Sequence, residues 1–408
     1  MDDATLLAEV DRLVAFARAA RRPEGFGWLD EQGALTDKPV ELWITCRMTH
    51  VFALQALRGD DASAPLARHG VEALAGPLHD AEHGGWFAAV DADGPVGAAG
   101  SEKQAYGHAF VVLAAASAAA AGTPGAERLL GDALDVLDRR FWDDEHGMAV
   151  DGWDREWRTL DPYRGVNANM HLVEALLAAH DVTGDGLLLT RALRVTTRVV
   201  HDLGVPRGFR LPEHFTAAWE PDPDYNRDDP AHPFRPYGVT VGHLLEWSRL
   251  TLLLGRALEE AGHEVPGWLT PDARGLFDRA VGDGWTGGEH PGFCYTTDFE
   301  GRPVVTHRMH WVVAEAVAAA TVLYQTTGDP AYAAWRDAWL DLALTRFADH
   351  DGGSWWHEVD ERNHPSREVW VGKPDVYHAF QALLTPLLPP VSSYVGGVRR
   401  ARRQRQEQ

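Results

Sequence analysis

One signal recurs six times along the 408-residue chain: a histidine followed by an apolar run of helical length. It appears in "CRMTHVFALQAL" (His50), "AYGHAFVVLAAA" (His108) and "NANMHLVEALLAA" (His171). It returns in "VGHLLEWSRLTLLL" (His243), "HRMHWVVAEAVAAA" (His310) and "DVYHAFQALLTPLL" (His378). Successive histidines are 58, 63, 72, 67 and 68 residues apart, so the unit is about 65 residues long. A fixed period of this size marks a repeat architecture, and it constrains the fold more than any composition figure.

Amphipathic segments lie between the histidine runs: 4–20, 64–78, 125–142, 186–203, 271–284 and 330–348. Their apolar residues fall at helical spacing. Gly-aromatic stretches follow most of them, as in "AEHGGWFAAV", "DEHGMAV" and "DHDGGSWWHEV", and read as a turn into a short strand. Six pairs of helices, one member apolar all round and the other on one face only, predict an all-α (α/α)6 barrel. The expected domain is single, over 1–390. Residues 391–408 read as a basic, disordered tail, because "RRARRQRQEQ" is polar and charged. Loops 206–236, 285–306 and 351–372 are expected to crown the mouth on which the histidines converge.

Formal net charge is −22, which argues against nucleic acid or an anionic membrane as partner. No apolar run reaches the roughly 18 residues of a membrane span. The two cysteines, Cys46 and Cys294, form no CxxC pair, and the first residues are acidic where a signal peptide needs bases. A cytoplasmic protein with a small-molecule partner is expected. Its oligomeric state is not set by the sequence.

Sixteen tryptophans and 20 histidines, many inside apolar segments, hint at carbohydrate. His243 and Glu246 share a helix face at i, i+3, so Glu246 is expected to orient the His243 ring. His378 lies about one turn into its helix, after Pro374. Arg47 is a charge within an apolar run and requires a partner. Asn167, Asn169 and His171 stand together in "NANMH" and suit the binding of hydroxyls. Two imidazoles at one cavity suit proton transfer near neutral pH. Aldose–ketose interconversion requires that, with donors to stabilise an enediolate.

At these residues the chain resembles the N-acylglucosamine 2-epimerase superfamily, within the branch holding mannose isomerases and sulfoquinovose isomerases. The resemblance spans roughly 20–390 and rests on "GFGWLDEQG", "LWITCRMTH", "HGGWF", "YRGVNANMHLVEA", "PEHF", "PDYNRDDPAHPFRPYG", "GHLLEWSRL", "DGGSWW" and "GKPDVYHAF". It implies that His378 moves a proton between C2 and C1. It implies that His243, supported by Glu246, serves ring opening and hydroxyl proton transfer. Arg47, Trp43, Asn167, His171 and Trp311 fall on substrate-binding positions, and no metal or other cofactor is needed. The substrate pair expected is D-mannose and D-fructose, with D-lyxose and D-xylulose alongside. Glu358, after the tryptophan pair, argues against a bound sulfonate, whereas Arg235 is a candidate anion partner that keeps sulfoquinovose open. A 2-epimerase of the same superfamily is the other alternative.

Three further readings stay beside these. A glycoside hydrolase would draw its two carboxylates from Asp222, Asp224, Asp228 and Asp229. A metal isomerase would use His243, Glu246, His310 and His378 as ligands. A non-catalytic sugar-binding protein would not need the paired histidines.

Overall fold

The computed structural model describes residues 1–406 and is mostly helical. The helices, in chain order, begin with α1 (Asp3–Ala17), α2 (Leu42–Arg58), α3 (Ala64–Ala75) and the short α4 (Gly97–Ser101). Next come α5 (Ala105–Ala120), α6 (Ala126–Val136), α7 (Val166–Thr183), α8 (Gly186–Thr196) and α9 (Val241–Glu260). The series closes with α10 (Leu269–Gly284), α11 (His310–Thr327), α12 (Pro330–Leu342), α13 (Tyr377–Leu384) and α14 (Tyr394–Gln406). Each of the six histidine runs is a helix, and each amphipathic run forms the helix that alternates with it. None of the described helices is long and apolar enough to cross a membrane.

The described residues form two compact units. One comprises 1–13, 196–373 and 378–390; the other comprises 14–195, 374–377 and, of the described C-terminal residues, 391–406. In the second, α2 packs on α3 and α5, and α5 packs on α6 and α7. Nearly every residue of α5 is buried, as its uninterrupted apolar run requires, whereas α3 buries one face through Ala67, Gly70, Val71 and Leu74. In the first unit α9 packs on α10 and α11, and α11 packs on α12.

The apolar helices share a method of starting. A two-residue strand precedes α2, α5, α7, α9 and α11. The first helical N–H then donates to a carbonyl in a Gly-aromatic loop: Leu42 to Ala88, Ala105 to Asp151, Val241 to Tyr295 and His310 to His357. These bonds satisfy donors that a helix start leaves open, in place of a side-chain cap.

The Gly-aromatic loops are the expected tight turns, each organised by an aspartate. Asp80 Oδ1 accepts from the backbone of Glu82 and His83, and Asp349 Oδ1 accepts from Asp351 and Gly352. Their second oxygens take a buried lysine each, Lys103 at 2.9 Å and Lys373 at 2.5 Å. Burial alone would raise the Asp80 carboxyl, but bonds from Arg155 and Lys103 outweigh it and hold it well below the carboxylate range.

The C-terminal segment differs from expectation. Residues 394–406 form α14 rather than a disordered tail, and Tyr394, Val395 and Val398 are buried. Arg399 donates to the Asp181 carbonyl in the last turn of α7, and Arg402 donates to the Leu57 carbonyl in the last turn of α2. Cations at two helix C-termini give the basic run a structural use. A short apolar strip is enough to seat it.

Candidate active site

In the first unit, two histidines each meet a carboxylate through Nδ1. His243, in the first turn of α9, lies 3.0 Å from Glu213 Oε2. His378, at the start of α13, lies 2.9 Å from Glu315 Oε1 of α11. All four groups are buried. Such a bond fixes the tautomer with hydrogen on Nδ1. Trp311 touches both rings, with centroids 5.3 Å from His243 and 5.7 Å from His378. The indole reaches that position because residue 242 is glycine: a Cβ there would stand 2.2 Å from the six-membered ring. Trp311 itself is half-buried.

The expected pairing of His243 with Glu246 is not formed. Glu246 accepts instead from Arg249, one turn further along α9, at 3.3 Å. Arg249 is fully buried and also donates to Glu315 at 2.9 Å. The i, i+3 spacing puts Glu246 on the right face, but it puts a buried cation there too, and that cation takes the carboxylate. The residue that orients His243 comes from the "PEHF" loop, 30 positions away.

The described residues bring ligand atoms of Glu246, Glu315 and His378 within 4.8 Å of one another, a spacing that a metal ion can use. The Arg249 guanidinium bonds to both carboxylates of that set and offsets part of their negative charge. His310 stands outside it: its Nδ1 faces the His357 carbonyl at 3.3 Å and its ring lies on that of His357, centroids 3.9 Å apart.

Arg235 lies in the 222–237 loop, half-buried, and donates to the Tyr225 hydroxyl at 3.3 Å. The loop is clasped by His214 Nε2 to the Pro236 carbonyl and by the Tyr295 hydroxyl to the Pro233 carbonyl. Burial, with the charge of Arg235 in support, lowers His214's pKa. Glu358 faces inward, accepting from the backbone of Glu368, Val369 and Trp370. Its charge is absorbed there, so it does not bear on sulfonate binding as the sequence suggested.

The second unit holds a cluster of its own around Arg47. Arg47 on α2 bonds to Asp375 at 3.2 Å and to the Tyr106 hydroxyl at 3.0 Å. Its guanidinium lies over the rings of Phe110, Tyr377 and Trp43 at 4.6, 4.8 and 5.0 Å. Burial opposes the charge, but Tyr106 and Asp375 outweigh it and hold the guanidinium above its ordinary pKa. Trp43 donates its indole N–H to Glu41, whose carboxyl burial pushes up. His171 lies 3.6 Å from Glu174, which accepts from the Tyr377 hydroxyl. Asn167 is half-buried in the first turn of α7. Asn169, expected to bind hydroxyls, is consumed internally: it bonds to both backbone groups of Ala149 and to the Gly165 carbonyl.

The recurrent histidines therefore divide. His50 lies in the third turn of α2, not at its start, and bonds to Ser117 Oγ at 2.7 Å. His108 uses both nitrogens on backbone, at Gln104 and Trp86, and burial pushes its pKa down to about 3. Sequence reasoning missed Glu213, Arg249, Glu315, Tyr106, Asp375 and Tyr377. The signal for Arg249 and Glu315 was present, as charges inside apolar runs that must find partners.

The sequence matches the model of the N-acylglucosamine 2-epimerase (GlcNAc 2-epimerase) family over residues 25–382. A D-mannose isomerase of Thermobifida fusca is 54% identical, over 97% of this chain and 96% of its own. A D-mannose isomerase of Pseudomonas cannabina pv. alisalensis is 48% identical, over 94% of this chain and 92% of its own. A crystal structure of a D-mannose isomerase superposes with a TM-score of 0.87 at 30% identity, over 95% of this chain and 98% of that one. The expected fold class, an all-α (α/α)6 barrel, is the class of these structural neighbours and of this chain.

Proposed function

The chain belongs to the N-acylglucosamine 2-epimerase family, and from that premise we propose that it is an aldose–ketose isomerase interconverting D-mannose and D-fructose. D-Lyxose and D-xylulose, which share the arrangement at C2, are its second substrate pair. The observation that carries the reading is the matched pair of histidines, each held by a carboxylate at Nδ1 and both against Trp311.

The route follows from that tautomer. With Nδ1 committed to a carboxylate, Nε2 is the atom that meets the sugar. His243 opens the ring by moving the proton of the anomeric hydroxyl to the ring oxygen. His378 Nε2 takes the C2 proton of the open aldose, and the C2–H electron pair becomes the C1–C2 double bond of an enediolate. The same imidazolium returns that proton to C1, while His243 carries the hydroxyl proton from O2 to O1. Atoms balance, and C2 ends as the ketone. Glu246 acts through Arg249 rather than on His243. Arg47, Trp43, Asn167, His171 and Trp311 serve in binding the sugar. Arg235 serves the outer end of the substrate.

The route needs no metal. Support comes from Arg249, which supplies the positive charge between Glu246 and Glu315. The protein acts in the cytoplasm, a reading supported by its two free, buried cysteines.

NMR of the EDTA-treated protein with mannose in D2O tests the proposal. Fructose with deuterium partly at C1 is the expected product. Glucose without fructose would move the chain to the 2-epimerases. Turnover of sulfoquinovose but not mannose would reassign the substrate, and recovery only with added divalent metal would sink the proton route.

A further inference from the structure

We infer that Arg249 is a positioning residue for the His378 base, acting through Glu315 as a two-carboxylate clamp between α9 and α11; this rests on the isomerase reading above. Arg249 Nε donates to Glu315 Oε2 at 2.9 Å and Nη2 donates to Glu246 Oε1 at 3.3 Å. Glu315 gives its other oxygen, Oε1, to His378 Nδ1 at 2.9 Å. The order is therefore Glu246, Arg249, Glu315, His378, with every member buried.

Two consequences follow from the order. The Arg249 Nε–H holds Glu315 Oε2 while Oε1 meets His378, so the carboxylate is held at both oxygens and aims the His378 ring. The guanidinium also offsets the negative charge that Glu315 and Glu246 place beside the imidazole. His310 also stands against His378, its ring edge-on at 6.4 Å. A base flanked by two uncompensated carboxylates would hold its proton too firmly to return it to carbon. His243 has no such device: its partner Glu213 shares no bond with a cation among the described residues.

The test uses Arg249→Met and Arg249→Lys in the full-length chain, with histidine-selective 15N labelling. The His378 signal is assigned by its loss in His378→Asn. In the unaltered protein the ring is expected as the Nδ1–H tautomer. Removing the cation in Arg249→Met raises the His378 titration midpoint by about one pH unit or more. The acid limb of the kcat profile moves up with it, and kcat falls about 10- to 100-fold while KM is nearly unchanged. Arg249→Lys keeps the charge but not the fork: the midpoint stays near wild type, and kcat recovers only in part. A midpoint and tautomer unmoved in Arg249→Met overturns the inference, as does a loss of kcat with an unmoved acid limb. If Arg249→Met does not fold, Arg249→Lys decides, and full kcat in that variant overturns the clamp. The NMR titration needs no substrate, so failure of the isomerase reading shows separately, as absence of fructose from the wild type.

Discussion

His243 and His378 carry the same device built in two ways. The carboxylate behind His378 comes from a helix, and a buried arginine holds its second oxygen. The carboxylate behind His243 comes from the 213–237 region, and its second oxygen, Oε1, is buried with no hydrogen-bond partner among the described residues. One histidine is set by the helical framework and the other by a clasped loop. Under the proposed route the difference matches the two tasks. A group that removes a proton from carbon requires fixed aim over a short reach. A group that moves protons among several oxygens gains from a support that can yield.

Breaking each histidine gives the largest effect. His378→Asn is expected to lower kcat about 1,000-fold or more and to abolish exchange of the C2 proton with solvent deuterium. His243→Asn should lower net isomerisation about 100-fold yet retain C2 exchange on substrate that has opened spontaneously. Exchange and turnover, measured together by NMR, separate the two; equal loss of both in both variants would erase the proposed division.

Changing the supports comes next. Glu315→Gln removes a charge that Arg249 and His378 both use, and should cost about 100-fold in kcat. Glu213→Gln keeps an acceptor at His243 and should cost nearer 10-fold. Steady-state kinetics on the folded variants check the order, and a reversed order would mean that the loop-borne support is the critical one.

The smallest effect on turnover is expected at His108, the same residue type in another repeat but with both nitrogens on backbone. Its folded pKa of about 3 lies below the ordinary 6.5 because of burial, and Lys103 adds to the shift. Its contribution to stability is therefore full above about pH 6.5 and is lost as pH falls toward 3. Urea unfolding should show the protein about 2 to 3 kcal/mol less stable at pH 4.5 than at pH 7 from this group. His108→Asn should flatten that slope while leaving turnover per folded molecule at pH 7 unchanged.

Much of the fold was legible because periodicity is local. The spacing of His50, His108, His171, His243, His310 and His378 located the apolar helices, and the amphipathic runs located their alternates. The wide π-type turns that end two of those alternates, at Leu137–Phe141 and Ala343–Phe347, carry no Gly or Pro signal to announce them, whereas the one at Thr197–Gly204 closes on a glycine. The site was legible in part for the same reason. His243 and Glu246 were read as a pair from one helix, but Arg249 on that helix and Glu213 from a distant loop competed for them. Spacing records who shares a face, not which neighbour wins. Lys103 and Lys373, each five residues before a repeat histidine, were a readable signal for the buried Asp80 and Asp349 pairs that sequence reasoning left unused.

The partner of Arg47 lies 328 residues further along the chain. A ribosome therefore completes α2 long before it delivers Asp375, so until then Arg47 lacks the carboxylate that pairs with it in the folded chain. The same unit waits for Arg399 and Arg402 to cover the ends of α7 and α2. Synthesis thus runs ahead of these contacts, since α2 and α7 are made well before the residues that pair with them. A message cut short before codon 375 therefore yields a product in which Arg47 has lost its carboxylate partner.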